Sequence, residues 1–212
     1  MSALALPLAL PAQNSASAVY DRAAKAFGAL RTIDARFDQT ITNPLLGKTV
    51  SSHGRFLQQK PDLVAITFSD PAGDRIVSDG KSLWVYLPSS TPGQVLKLPA
   101  NTEGAGIVNM LGQFLDAPKQ SFTITGGDAA AVDGIATHKV LLVPHANSGA
   151  PFQRATLWID DRDSRIHRVQ VVDGQGVDRT ITMTTWAANT TLASGAFKFS
   201  TPRGVKVVTS LP

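Results

Sequence analysis

The chain reads as a mainly β protein of the α+β class, with one curled antiparallel sheet and a small helical part. Three observations carry that reading. Apolar side chains alternate at Val64, Ile66 and Phe68, the period of a strand with one oily face. Tight-turn pairs, Asp79-Gly80, Asp133-Gly134 and Asp173-Gly174, punctuate both halves of the chain. Helical periodicity appears in two places, near the N-terminus and at mid-chain.

Taken in order, residues 1–16 hold a short apolar run, Ala3 to Leu10, followed by small residues. This is the pattern of a secretory signal core and cleavage zone, but no Lys or Arg precedes Arg22, so the basic leader is missing. The segment reads as a signal-peptide remnant or a disordered tail, with the folded domain at 17–212. The run is far too short to span a bilayer. Residues 17–33 read as a helix, with Val19, Ala23, Ala26, Phe27, Leu30 and Ile33 at three- and four-residue steps and Ser17 as N-cap. Strands follow at 34–42, 50–60, 63–69, 75–79, 82–88 and 94–98. A second helix is expected over 104–116, where Ile107, Val108, Leu111, Phe114 and Leu115 share a face and Asp116-Ala117-Pro118 ends the pattern. Further strands are expected at 121–125, 136–143, 154–160, 165–172, 177–186 and 197–199, with a last one near 205–209. A sheet of this size must curl or close to avoid long open edges. Curled into an incomplete barrel with apolar helices across its mouth, it encloses an apolar cavity.

Composition narrows the function. The hydrophobic share of 43% supports a real core, and 17 Gly and 13 Pro are scattered as turn punctuation rather than gathered in a linker. Twenty basic and 16 acidic residues give a net charge of +4, spread without a Lys/Arg cluster, so no nucleic-acid partner is expected. No cysteine is present, which excludes disulfides, a Cys-ligated metal and a thiol nucleophile. The search for catalysis is empty. His53, His138, His145 and His167 lack metal-ligand spacing, and there is no Gly-x-Ser-x-Gly elbow or phosphate loop. Gly126-Gly127 reads as a turn. Asp160-Asp161-Arg162-Asp163 lacks the Gly and distal Glu of a calcium loop and reads as a polar turn. No cofactor and no enzymatic activity are expected.

Several motifs occur in a telling order: Lys60-Pro61 at a strand start, the hairpin from Ile76 to Pro88 (IVSDGKSLWVYLP), and the late element from Phe197 to Val205 (FKFSTPRGV). Together, over roughly residues 18–208, they resemble the LolA family of periplasmic lipoprotein carriers. The resemblance implies an unclosed barrel under a helical lid, a periplasmic location and a monomer. It implies acylated lipoprotein as cargo, an inner-membrane ATP-driven release complex (LolCDE) as loader, and an outer-membrane receptor (LolB) as acceptor where one is present. The receptor is anchored through an acylated cysteine, so the lack of Cys favours the soluble carrier.

The resemblance also suggests sites. Val64, Ile66 and Phe68 match a cavity-lining strand. Periodicity alone leaves core and cavity equally open for them, and both faces of 82–88 are apolar, so Trp84 and Tyr86 either line the cavity or pack elsewhere. Ile107, Val108 and Leu111 are the expected lid. Lys60 stands where the family usually has an Arg that latches the lid. Lys is a mobile point charge in place of a planar five-donor fork, so an inherited latch would be weaker. A solvated charge at a strand start is the other reading. The leading expectation is a non-enzymatic carrier that shuttles lipoproteins from inner to outer membrane. The alternative is a periplasmic lipid or lipoprotein sensor of the same fold that regulates an envelope-stress pathway. Those regulators carry a second C-terminal domain, for which this sequence leaves no room after FKFSTPRGV.

Overall fold

The computed structural model describes residues 15–100, 109–116 and 119–209. The expectations for residues 1–14, and for Ile107 and Val108 in the mid-chain helix, lie outside the described residues.

The chain enters through helix α1 (Ala16–Gly28), which buries Val19, Tyr20, Ala23 and Phe27 along one stripe. Its N-cap is Ser15, whose hydroxyl accepts from the Ala18 N–H at 3.3 Å, and the expected cap Ser17 lies inside the first turn. The helix stops at Gly28 rather than at 33. Ile33 fits the helical spacing, but it also opens the alternating trio Ile33, Ala35 and Phe37, all buried in the first strand. There the β-period wins.

Twelve strands follow: β1 (Thr32–Asn43), β2 (Lys48–Gln59), β3 (Leu63–Asp70), β4 (Arg75–Asp79), β5 (Ser82–Tyr86), β6 (Gln94–Pro99), β7 (Phe122–Val132), β8 (Ile135–Pro144), β9 (Arg154–Asp160), β10 (Ile166–Val172), β11 (Asp178–Ala188) and β12 (Lys206–Val208). Helix α2 (Gly112–Leu115) lies between β6 and β7. All the strands belong to one sheet in the order β12-β6-β5-β4-β3-β2-β1-β11-β10-β9-β8-β7. It is two antiparallel meanders joined where β1 pairs with β11, with β12 added in parallel to β6. The edges β12 and β7 do not pair, so the barrel stays open.

Two further sequence expectations change. The Gly126-Gly127 pair does not end β7. It forms a bulge, both glycines at positive φ, and pairing with β8 resumes from Asp128 to Val132. A Cβ on Gly126 would meet the Lys139 carbonyl at 2.8 Å. Residues 197–199, expected as a strand, make no strand, yet Phe197 is buried and Phe199 is stacked on Trp84.

The sheet's two faces are covered differently. One contiguous cluster joins α1 and α2 to inward side chains from both meanders, among them Phe37, Phe56, Val64, Leu142, Leu157 and Ile181. The sheet therefore wraps a shared interior. A smaller cluster on the outer face holds Ala65, Val77 and Phe197, with Trp84, Leu192 and Phe199 packed against it. Close approach at the bend requires Gly54, where a Cβ would stand 2.7 Å from both the Phe37 ring and the Thr67 carbonyl.

Candidate functional site: the interior beneath the helices

The inner face of the first meander is set by register. Val64 opposes Ser78, which opposes Leu83, and Ile66 opposes Ile76, which opposes Val85. Opposed residues share a face, so Val64, Ile66, Leu83 and Val85 all point inward. Val64 and Ile66 are almost fully buried, and Phe68 is partly buried, its ring edge-on to Phe37 at 5.7 Å. Leu83 and Val85 were missed by the sequence reading, which named their neighbours instead.

Trp84 and Tyr86 are the correction. Ala65 opposes Val77 and Val77 opposes Trp84, which places Trp84 on the outer face. Its ring stacks on Phe199 at 5.3 Å and 20°, Tyr86 lies 5.9 Å from the same ring, and the Trp84 indole N–H donates to Asp79 at 3.1 Å. These two aromatics hold the C-terminal segment against the outside of the sheet and face away from the interior. Burial tends to raise the Asp79 carboxyl pKa, but the N–H groups of Ser82 and Lys81, the Trp84 indole and the Lys97 charge outweigh it and lower it.

The helices close the other side. Leu111, the N-cap of α2, is 1% exposed inside the main cluster with Phe114 and Leu115. The Tyr20 hydroxyl of α1 donates to the Phe114 carbonyl at 2.7 Å. Burial, and secondarily the charges of Asp21 and Asp116, raise the Tyr20 pKa, so it stays a donor. The rings of Phe114, Phe152 and Phe122 continue the packing, with centroids 5.4 and 6.1 Å apart.

Lys60 binds both helices at once. Its ammonium donates to the Phe27 carbonyl in the last turn of α1 at 3.0 Å, lies 3.9 Å over the Phe27 ring and stands 3.6 Å from Asp116 just after α2. A cation on the C-terminal carbonyl of a helix is favoured by the helix dipole as well as by the hydrogen bond. The turn between β2 and β3 is thus tied to the two elements that cover the interior. Lys60 is not a solvated charge; its side chain is only 23% exposed.

Two further features mark this region. Gln58, 2% exposed, offers its Nε2 to Asn109 at 3.4 Å, while its Oε1 has no partner among the described residues. A groove of about 130 Å³ runs between α1, α2 and the β9–β10 turn, lined by Ala23, Phe27, Leu30, Leu115, Ile166 and Trp186, with Asp163 and Arg165 paired at its rim at 3.5 Å. Among the described residues no group of His, Asp or Glu could hold a metal, and no helix is long and apolar enough to cross a membrane. The Asp160 carboxylate sits where a cation could be sought, but Arg162 and Arg165 occupy it at 3.1 and 3.6 Å.

Residues 28–200 match the family model described as outer membrane lipoprotein carrier protein LolA. A curated outer-membrane lipoprotein carrier protein of Xanthomonas oryzae pv. oryzae is 27% identical over 179 residues, covering 84% of this chain and 82% of that protein. One from Chromobacterium violaceum is 26% identical and covers 98% of this chain and 94% of its own. Among solved structures, an uncharacterised conserved protein from Thermus thermophilus aligns with a TM-score of 0.58 at 16% identity, covering 92% of this chain and 99% of that one. MucB aligns with a TM-score of 0.54 at 12% identity, covering 87% of this chain and 62% of MucB. The structural likenesses are ones of fold; the sequence match is what assigns kinship, and by it the chain belongs to the LolA family.

Proposed function

We propose that this protein is a periplasmic carrier that takes the acyl chains of lipoproteins into the interior beneath α1 and α2 and ferries them from the inner to the outer membrane. It performs no catalysis. The observation that carries this reading is the family match over most of the chain, joined to an apolar interior closed by two helices that one lysine ties down. Val64, Ile66 and Phe68, with Leu83 and Val85, line the inner face, Leu111 belongs to the cover, and Lys60 is the latch.

The physical demand is clear. Burial of each methylene is worth ~0.8 kcal/mol, so three chains of about fifteen carbons represent roughly 35 kcal/mol of gross burial, beyond the ceiling of about 20 for noncovalent affinity. Such a molecule does not cross water unaided. A carrier must shield the chains yet release them, which favours an apolar interior with few polar anchors. The groove of about 130 Å³ is small beside an acyl chain. Loading therefore requires the helices to swing away, a step driven by an ATP-consuming inner-membrane complex. An outer-membrane receptor, where present, takes the cargo. The likeness to MucB is one of fold and does not bring that protein's partner to this chain.

The test is ATP-dependent release of a triacylated lipoprotein from inner-membrane vesicles that carry the release complex. The expected result is a soluble complex with the wild-type chain and at least a tenfold loss with Phe68→Glu, its fold checked by circular dichroism. No release by the wild type, or full release by the variant, contradicts the reading.

A further inference from the structure

The register of the second meander places a lone charge on the inner face. Val50, Ile41, Arg179, Val171, Ala155 and Leu142 oppose one another strand by strand, in a single row across β2, β1, β11, β10, β9 and β8. Ala155 and Leu142 are fully buried in the interior cluster, Val171 packs on it, and Val50 is 60% exposed. Arg179 thus stands where the interior gives way to solvent, the one charge in an otherwise apolar row. The next inward residue on its strand, Ile181, is buried.

Among the described residues the Arg179 guanidinium makes no hydrogen bond or ion pair. Arg55, Arg162 and Arg168 are engaged on Asp34, Asp160 and Thr182, and Arg75 and Arg154, which also lack a side-chain partner among the described residues, are exposed rather than half-buried. Burial pulls the Arg179 pKa below the ordinary arginine value, with the Asp173 charge opposing it. Asp173 itself serves the β10–β11 turn, where its Oδ1 accepts from the N–H groups of Gln175 and Val177 at 2.8 and 3.0 Å. The guanidinium is half-buried among apolar neighbours, with its donors open to solvent rather than to a protein acceptor. A ligand that pairs an oxyanion with an apolar tail would satisfy both the fork and the row around it.

We propose that Arg179 binds the anionic phosphate headgroup of a lipid whose acyl chains lie along the apolar inner face. The planar fork matches two phosphate oxygens at once. This rests on the apolar interior proposed above and adds a polar anchor at its open end, which gives the carrier a preference for anionic phospholipid over neutral lipid.

The experiment is calorimetric titration of the full chain with two probes of equal chain length, dioctanoyl phosphatidic acid and neutral dioctanoylglycerol. The expected result is at least tenfold tighter binding of the phosphatidic acid by the wild type. Arg179→Gln should bind both within threefold of each other and keep the wild-type affinity for dioctanoylglycerol, its fold checked by circular dichroism. Arg179→Lys should retain part of the preference. Equal wild-type affinities, or an unchanged preference in Arg179→Gln, overturn the headgroup site while leaving the apolar interior standing. Failure of the wild type to bind either lipid overturns the headgroup site, while the carrier reading is decided separately by the ATP-dependent release assay. Inorganic phosphate alone should not bind; Arg179-dependent binding of it as tight as that of the lipid would make this a free-phosphate site and overturn the lipid assignment.

Discussion

Strand β5 presents two apolar faces that serve different ends. Leu83 and Val85 look inward, into a cluster shared with both helices, whereas Trp84 and Tyr86 look outward onto Phe199. The inner face is covered by α1 and α2, which pack into the main cluster and are tied by the Tyr20 hydroxyl, the Lys60 ammonium and the Lys119–Asp21 pair. The outer face is covered by the chain's own C-terminal segment, pinned by stacked rings and by Phe197. Equal hydrophobicity therefore does not mean equal role. On the proposed carrier reading, what separates a face that is exchanged for cargo from one that is not is the nature of its cover.

Substitutions across that divide should part stability from transport. The largest effect is expected at Leu83, where truncation to Ala should cost about 3 kcal/mol, read by urea denaturation, and should also weaken lipoprotein uptake. Trp84→Ala, on a half-buried ring, should cost about 2 kcal/mol yet leave uptake per folded molecule unchanged. A Trp84 variant that folds but no longer carries cargo would erase the distinction between the faces. Lys60→Met should cost about 1 kcal/mol, by loss of the Phe27 carbonyl bond and the Asp116 pair. Hydrogen exchange in α1 should then quicken more than in β5, while Lys60→Arg should preserve the closed state. Uniform quickening across the molecule would mean that Lys60 is not a latch.

The smallest effect concerns acid. Asp160 is almost fully buried, and burial tends to raise its pKa, but the hydrogen bonds from Arg162 and the charges of Arg162 and Arg165 prevail and lower it. A carboxyl depressed in the folded state adds stability that is complete above the unfolded value near ~4 and is lost as pH falls through the lower folded pKa. Asp160→Asn should therefore destabilise at pH 7 but show a shallower fall in melting temperature below about pH 4 than the wild type. An identical acid limb in the two proteins would refute the assignment.

Much of this was legible in the sequence where one period prevailed. Alternation at Val64, Ile66 and Phe68 marked β3 and its inward face, and Asp79-Gly80 marked the turn that follows β4. Legibility failed where two signals overlapped or where a partner was distant. Ile33 satisfied helix and strand spacing together, and the sheet claimed it. The glycine pair at 126–127 read as a turn because a bulge uses the same positive-φ residues. The parity of β5 was hidden because both faces are apolar, and the outward one is explained only by Phe199, more than a hundred positions away. Arg179 went unremarked because a lone arginine in a strand gives no sign of its face until its neighbours across β1 and β10 are known.

The central claim is that cargo chains occupy the face beneath the helices. Photo-crosslinking tests it most directly, with benzoylphenylalanine placed in turn at Val85 and at Trp84, two adjacent positions on opposite faces, in the full chain loaded with a triacylated lipoprotein. The account predicts a crosslink to the lipoprotein from position 85 and none from position 84. Crosslinking from 84 alone, or equally from both, would contradict it.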